Sequence, residues 1–138
     1  MFRVLGSLPL LSFAALIYFG VALFAGDGVE AHLAAPVMTL PMASGASWHL
    51  SLGGFIVTLA LILFFIDVLR AATPTRRSMG RNIAQVLVFI PFLILFLLVR
   101  PFGTTEFFLI VLMLCLSFMA DATLLVLTSR RSMEIEHD

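Results

Sequence analysis

The chain has 138 residues, of which 62% are hydrophobic and 12% charged, with eight basic side chains balancing eight acidic ones. That charge fraction is about half of what a soluble domain carries, and a fold this small has too little interior to hide so much apolar surface. The composition therefore excludes a soluble globular enzyme, a disordered chain and a basic nucleic-acid binder, and it leaves a multi-pass membrane protein.

The first apolar segment, Leu5 to Ala25, has 21 residues without a charge. At about 1.5 Å per residue it crosses a hydrocarbon core of roughly 30 Å. A cleaved signal peptide is the rival reading, with Val29-Glu30-Ala31 as a weak processing site. The apolar stretch exceeds the usual length of about 7–15 residues, and Leu23 occupies the position three before a cut at Ala25, where a small residue belongs. A retained span is expected.

A 24-residue outer loop from Gly26 to His49 follows. Pro36 and Pro41 exclude one regular helix through it. Its apolar stretch Ala34-to-Met42 suits the membrane surface or the gaps between helix ends, with Trp48 at headgroup level. The loop reads as a structured cap over the bundle. Asp27, Glu30, His32 and His49 are metal-ligand types, but their spacing matches no zinc or calcium motif, so no metal or cofactor is expected. Gly45-Ala46-Ser47-Trp48-His49 lacks the second glycine of a nucleophile elbow.

Leu50 to Leu69 forms the second span, with Asp67 near its far end. A loop with Arg70, Arg76, Arg77 and Arg81 separates it from the third span, Ile83 to Val99, in which Pro91 predicts a kink near Leu87. After a short turn from Arg100 to Glu106, the fourth span covers Phe107 to Leu127 and contains Asp121. Cys115, the single cysteine, sits mid-span as a small packing residue. Fourteen phenylalanines spread through the chain read as lipid-facing bulk and packing.

Lysine is absent, and seven of the eight arginines fall on one side of a four-pass topology, Arg100 being the exception. The positive-inside rule then places both termini and the Arg76–Arg81 loop in the cytoplasm. The expected fold is an all-α integral membrane four-helix bundle forming one domain.

Intramembrane acids are costly, about 2.5–3.5 kcal/mol on insertion scales. Ser117, Asp121 and Thr128 share one face of the fourth span, and Arg70 lies one turn beyond Asp67. The topology thus gathers Asp67, Arg70, Arg81, Asn82, Gln85, Ser117 and Asp121 in the cytoplasmic third of the bundle. One reading makes them a proton- or cation-handling site with Asp121 as the titrating group. The preferred one is a buried network in which Arg70 or Arg81 neutralises Asp121 and sets helix register.

The stretch FFIDVLRAATPTRR, with Phe65 to Ala71 as its best local match, and then LVFIPFLILFLLV resemble a family of small bacterial four-helix inner-membrane proteins without an assigned activity. Acidic positions in that family correspond here to Gly53-Gly54 and to Ile94-Leu95-Phe96. The resemblance thus implies a location, the bacterial inner (cytoplasmic) membrane, and an architecture, but not an activity. The function expected is that of a non-enzymatic accessory, scaffold or assembly subunit. It would act through helix–helix contacts in the lipid bilayer, within a homo-oligomer or a larger membrane complex. The alternatives are a small oligomeric transporter or channel subunit with Asp121 as coupling group, and a lipid-active enzyme using Asp67 and Asp121.

Overall fold

The structure is a computed structural model that describes residues 8–72 and 79–136. Helix α1 spans Leu11–Ala25, and a 3-10 turn at Gly26–Gly28 passes the chain to a short α2, Val29–Ala34. A hairpin of β1, Pro36–Pro41, and β2, Ser47–Ser51, runs directly into α3, Leu52–Ala72. Helix α4 covers Met79–Leu98, a 3-10 turn at Arg100–Phe102 reverses the chain, and α5 covers Thr105–Glu136. Four helical stretches are long and apolar enough to cross a membrane: Leu11–Ala34, Leu52–Ala72, Gly80–Leu98 and Thr105–Arg131. They pack together as an up-and-down bundle, as the apolar segments predict, and their surface suits contact with a lipid bilayer.

The boundaries differ from the sequence expectation for local reasons. Within the described residues helix α1 begins at Leu11, after Pro9, whose carbonyl accepts the Ser12 amide and, at 2.6 Å, the Ser12 hydroxyl. Positions 5–7 lie outside the described residues, as do Arg3, Arg76 and Arg77. Leu50 and Ser51 belong to β2 instead of the second span, since their backbone pairs with β1. Helix α4 starts at Met79 and runs unbroken past Pro91. It ends where Val99 turns extended, at φ −112° and ψ 117°. Helix α5 continues nine residues beyond Leu127, to Glu136, through a stretch without glycine or proline.

Among the described residues, the outer loop is where strands interrupt the helices. Gly26 ends α1 at φ +55° and ψ −130°, a backbone conformation reserved for glycine, and its N–H closes on the Ala22 carbonyl. Val29 and Leu33 of α2 are then buried against the bundle, so this part of the loop forms a lid on the core. Beyond it, β1 and β2 pair antiparallel with a bulge between Pro36 and Met38. The hairpin turn closes through Gly45 N–H to the Met42 carbonyl and Met42 N–H to Ala46, with Gly45 at φ +84°, the left-handed residue that ends a tight hairpin loop.

The core follows from which side chains allow close approach. Ala14, Ala15 and Ala22 of α1 and Ala60 of α3 are fully or almost fully buried, and small residues let backbones come near where no water drives association. At the hairpin end, Tyr18, Phe19, Phe92, Phe102 and Phe107 form an aromatic cluster with centroid separations from 4.8 to 6.1 Å. Helix α4 is the least covered of the four spans.

Candidate functional site

Asp67 lies in the last two turns of α3, at the end of the bundle opposite the hairpin, and is 1% exposed. Its carboxylate reaches across to the start of α1: Oδ1 accepts the Leu10 amide and Oδ2 the Leu11 amide, both at 3.0 Å. The first N–H groups of a helix have no partner within it, and the helix dipole favours an anion there. Asp67 therefore acts as the N-cap of a helix to which it does not belong. Arg70, three residues on, places a guanidinium nitrogen 3.6 Å from Oδ1.

Arg81, in the first turn of α4, joins two further helices. One of its guanidinium nitrogens donates to the Asp67 backbone carbonyl at 3.1 Å, and Nε sits 3.2 Å from Asp121 Oδ2 on α5. The arginine and aspartate side chains are 11% and 10% exposed. One turn further along, the Gln85 amide donates to the Ser117 hydroxyl at 3.3 Å. Both residues are buried. The network thus links α1 to α3, α3 to α4 and α4 to α5.

Six of the seven residues expected to gather here are joined by these contacts. Asn82 shares their turn of α4, but its Oδ1 is buried without a hydrogen-bond partner, as are Gln85 Oε1 and Asp121 Oδ2. The Arg81–Asp121 contact is an ion pair between largely buried side chains. Thr128, on the same face of α5, turns its hydroxyl back to the Leu124 and Leu125 carbonyls. Chemically the site is rich in acceptors, and its cations are guanidinium groups that do not release protons.

At the opposite end, the Tyr18 hydroxyl donates to the Pro101 carbonyl at 3.2 Å and hydrogen-bonds the Thr104 hydroxyl. Thr104 Oγ1 also accepts the Phe107 amide at 3.3 Å and so caps α5. Sequence reasoning missed this contact. Its available signal is the chain's single tyrosine lying inside a span, where a phenol needs a partner. Glu30, Ser51, Thr104, Thr105 and Glu106 line an open cleft of about 510 Å³ beside it.

The remaining candidates lie around the hairpin. His32 Nδ1 pairs with the Gly28 carbonyl. His49 Nδ1 and Nε2 meet Thr39 and Ser47 hydroxyls at 3.0 and 3.1 Å. The Ser47–His49 contact has a hydroxyl on the second ring nitrogen where a general base carries an orienting carboxylate. Among the described residues, no three His, Cys, Asp or Glu side chains come together. No protein-family model, curated protein or solved structure matches this chain.

Proposed function

We propose that this chain is a non-enzymatic accessory or assembly subunit of a bacterial inner membrane, acting through its helix faces. Both termini and the arginine-rich loop would lie in the cytoplasm, as the distribution of arginines favours. The observation that carries the reading is the commitment of both intramembrane carboxylates to internal contacts, Asp67 to the start of α1 and Asp121 to Arg81. An intramembrane acid held this way fixes helix register and level, which moves function to the outer surface. Ile83, Leu87, Ile90, Ile94 and Leu97 of α4 form a stripe at four- and three-residue spacing, each at least 45% exposed. A stripe with that period suits a partner helix.

The experiment is photo-crosslinking from Leu87 and Ile94 in the intact chain in its native membrane. Adducts with a second copy or another membrane protein are expected at both positions. Lipid adducts alone, together with a strictly monomeric chain in mild detergent, would overturn the reading.

A second reading rests on two buried oxygens without a hydrogen-bond partner, Asn82 Oδ1 and Gln85 Oε1, on the turns of α4 that face Asp121 and its ion pair with Arg81. Such a group attracts a proton or a small cation, and an oligomer of this chain would use Asp121 as a coupling group. Proteoliposome flux that disappears in Asp121→Asn would support it, and flux that persists would remove it.

A further inference from the structure

The hairpin sorts its side chains by face. Directly paired residues in an antiparallel ladder lie on the same side of the sheet. The pairs Met38–Leu50 and Leu40–Trp48 therefore form one face, and Thr39–His49 and Pro41–Ser47 the other. The second face is tied together by the hydrogen bonds of His49 to Thr39 and Ser47. The first face is apolar, and Met38, Leu40 and Trp48 stand 43–46% exposed on it. A lone two-stranded hairpin is barely stable in water and needs something to cover its apolar face.

We infer that this face lies on the acyl-chain boundary of the outer leaflet, making the hairpin an interfacial membrane anchor. Three features favour lipid as the occupant. First, no Asp, Glu, Lys or Arg occurs between Leu33 and Ile66, a run that contains the whole hairpin, whereas a solvated loop or a protein-binding rim carries charge. Second, β2 enters α3 without a linker, so the apolar face is continuous with the lipid-facing surface of a span. Third, Leu50 lies on that face and its Cδ1 is 3.4 Å from the position a Gly54 Cβ would occupy. The face is therefore turned toward the side on which α3 descends.

Scale distinguishes a lying hairpin from an upright one. Strands of this length extend about 17–20 Å, but the headgroup layer on each side is only about 5–8 Å thick. An upright hairpin would lift its turn into water, with the apolar face uncovered. A lying one keeps Trp48 at the depth where indoles collect.

Trp48 is the single tryptophan, so the chain's own fluorescence reports its position. The full chain is reconstituted in phosphatidylcholine vesicles whose acyl chains carry bromine either near the headgroup or near the tail. The expected result is blue-shifted emission, strong quenching by the shallow bromines, weaker quenching by the deep ones and little by aqueous acrylamide. In Thr39→Trp/Trp48→Phe the indole moves to the opposite face, and acrylamide quenching is expected to dominate. Emission from Trp48 that acrylamide quenches and bromine does not would overturn the proposal by placing the hairpin in water. Shielding from both quenchers would overturn it as well, by assigning the face to a protein. If that shielding falls on dilution with lipid, the protein is a second copy of this chain. None of these outcomes bears on the crosslinks from α4, so the anchor and the helix-contact reading fail independently; only the choice of leaflet rests on the orientation proposed above.

Discussion

A carboxylate 1% exposed inside a membrane protein survives only if its charge is matched atom by atom. Asp67 meets this demand with two backbone amides and one guanidinium, and charge-assisted hydrogen bonds of this kind are worth about 1.5–3 kcal/mol each. Removing it strands the Leu10 and Leu11 amides and takes the anion from the start of α1. Asp67→Ala is expected to lower the unfolding free energy in detergent by about 3–5 kcal/mol, the usual cost of breaking a buried charged contact from one side. Asp67→Asn keeps one acceptor oxygen but not the second, and should cost roughly half as much. Equilibrium unfolding of the two variants beside the parent checks the order. Equal stability of Asp67→Ala and the parent would show that the cap contributes nothing.

Between elements, Arg81 is the shared tie, because it holds the α3 backbone and the α5 carboxylate from the first turn of α4. Arg81→Gln leaves Asp121 charged and largely buried, and a loss of about 3–5 kcal/mol is expected. In Arg81→Met/Asp121→Leu neither charge remains to be desolvated, and stability should return to within about 1–2 kcal/mol of the parent, the residue being the lost bond to the Asp67 carbonyl. Unfolding midpoints of the single and double variants measure this directly. The level at which these residues meet was legible in the sequence, because antiparallel spans of known length bring the end of α3 beside the start of α4 and the Asp121 turn of α5. The pairing of Arg70 with Asp67 was legible as well, and Arg81 was one of the two partners expected for Asp121; the contact of Asp67 with the start of α1 was not. The start of α1 follows Pro9, and only once that start is placed do the Leu10 and Leu11 amides become donors for Asp67. The hairpin was hidden for a different reason. Pro36 and Pro41 exclude a helix, but both are also compatible with the ends of an edge strand. The alternation of Met38, Thr39 and Leu40 against Trp48, His49 and Leu50 is only three residues long on each side.

At the scale of the whole molecule, the bundle has two chemically distinct ends. One holds Asp67, Arg81 and Asp121, and the exposed Arg130 and Arg131 follow on α5 beyond it. The other carries the uncharged hairpin and a cleft edged by Glu30 and Glu106. Arginine retained on the cytoplasmic side sets orientation more strongly than acids do, so the hairpin end should face outward. Native Cys115 is first replaced by alanine, and single cysteines are then placed at Ala43 in the hairpin turn and Ser129 on α5, both exposed positions. A membrane-impermeant maleimide added to cells that give it access to the outer face of the membrane holding the chain should label Ala43→Cys at once, and Ser129→Cys only after that membrane is permeabilised. The reverse pattern would invert the molecule, and with it the leaflet to which the hairpin is assigned, while leaving the contacts of Asp67, Arg81 and Asp121 unchanged.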